Sequence, residues 1–326
     1  MIKHKICLFL ALCLNPWLMV VHATPSKDTG SRGQLLQITE SISEAQELAN
    51  QKNPIYTAAP STAANKTLPL RELDAAMPTR NYRRIDALLS KVKETPSNAN
   101  ALNLWRGLSF WCQQRYEEAA ENFDRCTNFD DASLVHLYTI GLSYFKVEEC
   151  HKAVKVLTAV IAKFPDRDSY SCRANCHMAL KMYDQAISDF LMAAKFSYSY
   201  RSLYIGKAAN VLRVQKKYKE AITFYAASLK NSPNDFIPAL LLGRALCFQE
   251  LKRWNEAVQD YTEAIKVLTA PTYKGETKML NLADSYFQRA KCYDNLGKAS
   301  LAAVSYTHLR AHETVLDLVC RLLLEK

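Results

Sequence analysis

Between Lys252 and Ile265, aromatic and small residues fall at Trp254, Ala257, Tyr261 and Ala264, three and four apart. Asn255, Glu256, Gln259, Asp260 and Glu263 fill the gaps. That spacing predicts a helix with one apolar and one solvated face. The alanines on the apolar face leave room for a second helix at close range. The signature is an aromatic, Ala three residues on, then an aromatic or Leu four further. It recurs as Tyr218-Ala221-Tyr225, Tyr183-Ala186-Phe190 and Tyr116-Ala119-Phe123, with Cys150-Ala153-Leu157 as a weaker copy.

The five alanines, Ala119, Ala153, Ala186, Ala221 and Ala257, are spaced by 34, 33, 35 and 36 residues. Twelve residues before each stands a small residue: Gly107, Gly141, Ala174, Ala209 and Ala245. Twelve after three of them stands a turn residue: Asp131, Pro165 and Pro233. A fixed period of this size means stacked repeats, each burying its apolar face only against its neighbours. In register and in the placing of its small residues the pattern resembles the tetratricopeptide-repeat family, over roughly Thr79 to Ala303. The resemblance implies an all-α, right-handed superhelical solenoid of helix-turn-helix units without strands. In each unit a first helix, A, packs its small residue against the Ala of a second helix, B. The B-helix aromatic wedges between neighbouring units.

Before the five repeats, Arg80 to Lys93 mimics a B helix, with Tyr82 and Ile85 at the aromatic and Ala positions and Pro96 ending it. Leu70 to Met77 reads as a short helix. After Ile265 the register stretches: the next B-helix alanine is Ala302, 45 residues after Ala257, with Ala290 marking the A helix. About eleven extra residues fall around Thr269 to Asn281, where Pro271 and Gly275 break the pattern, and a longer loop or extended helices there are expected to project from the array. The array at 70–303 therefore holds one imperfect, five clear and one truncated repeat.

Residues 1–23 have the layout of a secretory signal peptide: Lys3 and Lys5, an apolar run from Ile6 to Leu14, and Val21 and Ala23 before a cleavage at Thr24. Asn15 and Pro16 interrupt the run and make it short for a membrane span. The expected location is therefore outside the cytoplasm: periplasm, exterior or secretory lumen. Residues 24–69 hold a polar start, a helix at Gln34 to Asn50 and a linker-like stretch, Lys52 to Leu68. That helix either caps the array or lies in its groove. Asn65-Lys66-Thr67 is a glycosylation sequon, meaningful only in a eukaryotic chain.

The tail, 304–326, resembles a translated sequencing-library adaptor. Val304 to Thr314, VSYTHLRAHET, reads in frame from the transposase adaptor, and Leu318 to Lys326, LVCRLLLEK, from the flow-cell primer; the gap fits an eight-base index. The junction also cuts the sixth repeat in mid-helix, just after Ala302. The tail is expected to be foreign to the natural protein and is set aside from fold reasoning.

Charge adds little. Leaving out Lys3 and Lys5 of the leader, and Arg310, Arg321, Lys326, Glu313, Asp317 and Glu325 of the tail, lowers the counts from 42 basic and 32 acidic to 37 and 29, net +8. This reads as a generally basic solvated surface; no arginine-rich arm or nucleic-acid motif accompanies it. Seven cysteines remain in 24–303: Cys112, Cys126, Cys150, Cys172, Cys176, Cys247 and Cys292. Most stand at small core positions. A disulfide among them stays open, since export favours one and the odd number does not define a framework. Cys172 and Cys176, one helical turn apart beside His177, invite a metal reading, but the same spacing is one packed face; no metal is assigned.

No Gly-rich phosphate loop and no nucleophile elbow is present. The histidines do not pair with carboxylates at catalytic spacings, and the acidic residues are read as lying mostly on solvated faces. Neither an enzyme nor a cofactor is therefore expected. The resemblance places the concave inner surface on A-helix residues. These are Leu104, Leu108 and Trp111 in the first repeat; Val135, Tyr138, Leu142 and Phe145 in the second; Ser171, Asn175 and Met178 in the third; Asn210 and Arg213 in the fourth; and Gln249 in the fifth. Amides pair with the backbone of an extended peptide and aromatics pocket its side chains. The expectation is an exported module that binds a peptide or protein in this groove; a scaffold that self-associates through its ends is the other reading. Some family members clamp a C-terminal carboxylate with Lys and Asn in one A helix; Asn175 fits the Asn, but Ser171 stands where Lys is required.

Overall fold

The computed structural model describes residues 69, 72–73, 82–130, 132–230, 232–273 and 278–310. The expectations for the leader, the 34–50 helix, the linker and the tail beyond 310 lie outside these residues. Among the described residues every regular element is helical. They form two compact units that divide between Ser197 and Tyr198.

The first unit holds α1 (Tyr82–Leu89), α2 (Ala99–Cys112), α3 (Tyr116–Asp124), α4 (Leu134–Lys146), α5 (Cys150–Lys163), α6 (Arg167–Ala179) and α7 (Tyr183–Lys195). The second holds α8 (Arg201–Val214), α9 (Tyr218–Leu229), α10 (Ile237–Glu250), α11 (Trp254–Thr269), α12 (Lys278–Asn295) and α13, residues 299–310. Within the first unit each helix from α2 to α7, and within the second each from α9 to α12, packs on its predecessor, and successive A helices also touch. The helices of the repeats therefore fall where the period places them.

The register is visible in the backbone. Every B helix from α3 to α11 begins three residues before its alanine, at Tyr116, Cys150, Tyr183, Tyr218 and Trp254. Two residues earlier each chain turns through a left-handed residue: Gln114, Glu148, Lys181, Lys216 and Lys252, with φ between 57° and 62°. The sixth repeat does the same at Gly297 (φ 69°), five residues before Ala302. A single left-handed residue reverses the chain between antiparallel helices, at a cost for side chains with a Cβ that only glycine escapes.

Packing explains the residue types. The five repeat alanines are fully buried, as are Phe123, Leu157, Phe190, Tyr225 and Tyr261 one turn beyond them. A Cβ added to Gly107 would lie 2.4 Å from the Phe123 ring, so the small A-helix residue faces the side chain one turn past the alanine. In the second unit Tyr225 also reaches across repeats: its ring lies 2.5 Å from where a Cβ on Gly243 of α10 would stand. Burying one such aromatic stabilises the array by about 2–3 kcal/mol.

Helix starts are fixed locally. Asp166 caps α6 by accepting from the backbone N–H groups of Asp168 (2.9 Å) and Ser169 (3.0 Å). Ser133 caps α4 through His136 N–H, and Pro238 sits in the first turn of α10, where its missing N–H costs nothing. The side chain of Asn98 accepts from Thr95 N–H and donates to the Lys93 carbonyl, folding the turn that leads into α2.

Three expectations are corrected. α1 ends at Leu89, short of Lys93, and the chain turns there. After Ile265 the helices are extended, α11 and α12 reaching 16 and 18 residues, but the segment does not simply project, since Tyr273 is buried in a cluster with Ile265, Leu268, Leu282 and Tyr286. Asp260, assigned to a solvated face, is buried.

Candidate partner-binding surface

In the first unit the A helices α2, α4 and α6 lie side by side. Of the residues expected to line their exposed face, Leu104, Leu108 and Ser171 are buried. They belong to the core, a correction to the groove assignment. Trp111, Tyr138, Leu142 and Phe145 are half-buried, their inner edges packed against the apolar core and their outer edges in water. The Trp111 ring rests 5.0 Å from that of Tyr116 at the start of α3. Asn175 and Met178, one turn apart on α6, are likewise half-buried. The Asn175 amide bonds to nothing among the described residues, which leaves its carbonyl and both N–H donors available. Helical spacing thus puts aromatic rings on α4 and a free amide on the neighbouring α6.

The second unit is built differently. Asn210 and Arg213 are paired within α8: Asn210 Oδ1 accepts from Arg213 Nε at 3.1 Å and Nη2 at 2.7 Å. Arg213 also bonds to the hydroxyl of Tyr225; burial raises the pKa of that tyrosine, and the guanidinium only partly offsets the rise. Gln249 is anchored inward. Its Oε1 accepts from Tyr261 O–H at 2.8 Å, and its Nε2 donates to Cys292 Sγ at 3.1 Å and to the Gln288 carbonyl at 3.4 Å. Asp284 on α12 stands near this network. Burial raises its carboxyl pKa, while a hydrogen bond from Gln288 Nε2 at 3.3 Å and the charge of Lys291 oppose the shift. Gln249 therefore ties α10 to α11 and α12 and offers a partner little.

Sequence reasoning missed two buried ion pairs. Arg173 of α6 donates from Nε and Nη2 to the carboxylate of Asp189 on α7, at 2.9 and 2.7 Å. Arg244 of α10 does the same to Asp260 on α11, at 2.8 and 2.7 Å. Burial works to raise Asp189, but His177 and Arg173 outweigh it and hold its pKa below the usual carboxylate value. His177 Nδ1 lies 3.1 Å from Asp189 Oδ2. The signal was present: each Arg immediately precedes the small A-helix residue, and each Asp follows the B-helix alanine by three. These pairs are internal, so their charges are not available to a ligand.

No group of His, Cys, Asp and Glu among the described residues is arranged to hold a metal ion. No described helix is long and apolar enough to cross a membrane.

Comparison with known proteins agrees with the geometry. Residues 138–201 and 239–267 match sequence profiles of the tetratricopeptide repeat. The C-terminal part of a TPR repeat-containing protein from Cytophaga hutchinsonii has the same fold, with a TM-score of 0.59 and 17% identity over 75% of this chain and 95% of that one. Weaker likenesses are to MamA from Desulfovibrio magneticus RS-1 (TM-score 0.47, 14% identity, 56% and 97% covered) and to a Podospora anserina putative kinesin light chain with TPR-like repeats (0.46, 14%, 56% and 96%). No curated protein matches the sequence. An all-helical array with this period and these matched stretches defines a protein-interaction scaffold. The chain carries tetratricopeptide repeats in these stretches, within an all-helical array of the same fold.

Proposed function

We propose that the protein is exported and binds an extended peptide segment of a partner protein along α4 and α6 of the first unit, without catalysis. One observation carries the reading: a half-buried amide with no partner among the described residues, Asn175, beside the half-exposed rings of Tyr138 and Phe145. An amide so placed pairs with a peptide backbone, and rings so placed take its apolar side chains. The basic balance of the mature stretch favours an acidic partner weakly. Export rests on the leader-like residues 1–23, and N-terminal sequencing of protein made in its source tests it: a chain beginning at Thr24 supports export, and one beginning at Met1 contradicts it.

Binding is tested by selecting displayed random peptides on the purified protein, then titrating them against wild type and Asn175→Ala. Losing one such hydrogen bond is expected to weaken binding about tenfold, with helical content unchanged. Equal affinity for both proteins would move the site elsewhere. The competing reading, a self-associating scaffold, predicts a mass that rises with concentration in light scattering; a constant monomer mass would exclude it.

A further inference from the structure

Cys150, at the first position of α5, and Cys172 and Cys176, one turn apart on α6, are all buried in the core of the first unit. α5 and α6 pack directly on each other, the B helix of one repeat on the A helix of the next. The Cys176 thiol contacts both others, sharing a hydrogen bond with Cys150 across the helix interface and one with Cys172 along α6. Two of the remaining cysteines are engaged otherwise: Cys126 donates to the carbonyls of Asn122 and Asn100, and Cys292 accepts from Gln249.

Chemistry narrows what the trio does. The three thiols are not arranged as a metal site. Thiols in contact in an oxidising compartment pair instead. Within a helix, side chains at i and i+4 hold their Cβ atoms about 5–6 Å apart, whereas a disulfide needs about 3.5–4.5 Å, which disfavours Cys172–Cys176. Cys150 and Cys176 are on different helices and carry no such constraint. We infer that Cys150 and Cys176 form a disulfide that staples the second repeat to the third, with Cys172 left as a free neighbouring thiol. This rests on the export reading for the oxidising environment.

The step is a thiol–disulfide exchange with a low-molecular-weight disulfide. The Cys150 thiolate attacks one sulfur of the oxidant and releases one small thiol. The Cys176 thiolate then attacks Cys150 Sγ and releases the second. The two cysteine protons end on the two released thiols, and the oxidant takes up both electrons. Burial pushes the Cys150 thiol up to about 11, and the hydrogen bond with Cys172, together with burial, raises that of Cys176, so both are protonated in the closed fold. Exchange therefore proceeds through local opening of the α5–α6 contact and is slow.

The test uses the purified full chain equilibrated with oxidised glutathione, then alkylated and digested without reductant. The expected result is a peptide pair joining Cys150 to Cys176, retained in Cys172→Ser and lost in Cys150→Ser. Oxidation should also raise the melting temperature of wild type and Cys172→Ser by roughly 5–10 °C. Alkylation of both Cys150 and Cys176 after equilibration, or a Cys172–Cys176 peptide, would overturn the inference. Because the oxidant is supplied, these outcomes do not depend on where the protein resides. A chain that pairs in this assay yet begins at Met1 in its source fails the export reading alone.

Discussion

The second and third repeats share one backbone plan and solve the same contact in opposite ways. The position before the small A-helix residue is Ile140 in the second repeat and Arg173 in the third. The position three after the B-helix alanine is Val156 and Asp189, respectively. All but Arg173 are buried, and Arg173 is half-buried. The fourth repeat sides with the second (Ala208 and Phe224), and the fifth with the third (Arg244 and Asp260). The contact accepts either a dry apolar filling or a fully hydrogen-bonded charge pair. In the first repeat Arg106 and Asn122 hold the two positions, and the guanidinium pairs instead with Glu94 at 2.9 Å. What the contact does not accept is a charge with no partner at all, because a lone buried charge has lost its water and gained nothing in return.

The largest expected effect breaks that rule on purpose. Asp189→Ala leaves the Arg173 guanidinium and His177 without their carboxylate. It should cost about 3–5 kcal/mol in urea unfolding. Arg173→Ile combined with Asp189→Val installs the filling of the second repeat and should return to within about 1 kcal/mol of wild type. A single variant as stable as wild type would mean that the pair is not desolvated.

Acid should separate the same two repeats. His136 in α4 is buried edge-on against Trp105, ring centroids 4.9 Å apart, and burial lowers its pKa to about 4. In the unfolded chain it titrates near 6.5. Between those values the unfolded state binds the extra proton, so stability is fully present above pH 6.5 and is lost as pH falls towards 4, on the order of 3 kcal/mol in all. Asp189, with its pKa lowered, keeps its contribution until pH falls below the ordinary carboxylate value, and loses it only there. Urea midpoints at pH 7 and 4.5 should therefore differ in wild type and differ far less in His136→Phe. An equal drop in both proteins would place the acid sensitivity outside the second repeat.

The smallest effect concerns the turn that all repeats share. No atom lies within 4 Å of a Cβ added to Gly297, so Gly297→Lys tests backbone strain alone and should cost about 1 kcal/mol. Lys252→Gly, at the equivalent turn, should stabilise by less than that, because glycine also gains freedom in the unfolded chain. Thermal melts that move in the opposite directions would contradict the left-handed assignment.

The helices and their order were legible because repeat packing leaves a residue-type mark at fixed spacing: Ala at close contacts, and a ring or Leu one turn on. The ion pairs were not. Read alone, Asp189 and Asp260 look like any acid on a polar helix face; only the neighbouring helix, carrying Arg173 or Arg244, makes them interior. Leu104 and Leu108 failed as groove residues for a related reason. Position on an A helix says which way a side chain faces, but how deeply it sits depends on α1 and α4 beside it. The anchoring of Gln249 likewise came from α11 and α12, far along the chain.

The sixth repeat joins the pairing rule to the reading of the tail. Arg289 precedes Ala290, but Ser305 stands three after Ala302, and the guanidinium reaches its hydroxyl at 3.2 Å and that of Thr262 at 3.4 Å, with no carboxylate partner among the described residues. If residues from 304 onward are adaptor-derived, the natural codon 305 should specify Asp or Glu, as in the third and fifth repeats, or Asn, as in the first. Resequencing the locus across codon 303 tests both. Finding the codons for Val304 to Lys326 intact would refute the adaptor reading, and a natural apolar residue at 305 would refute the pairing rule.

The central claim, that a partner lies along α4 and α6, is tested most directly by cross-linking. A selected peptide carrying a benzophenone is bound to the full chain and irradiated, and the attachment sites are read by mass spectrometry. The account predicts adducts between Tyr138 and Phe145 and at Asn175 to Met178. Adducts confined to the B helices α3, α5 and α7, with the peptide bound, would contradict it.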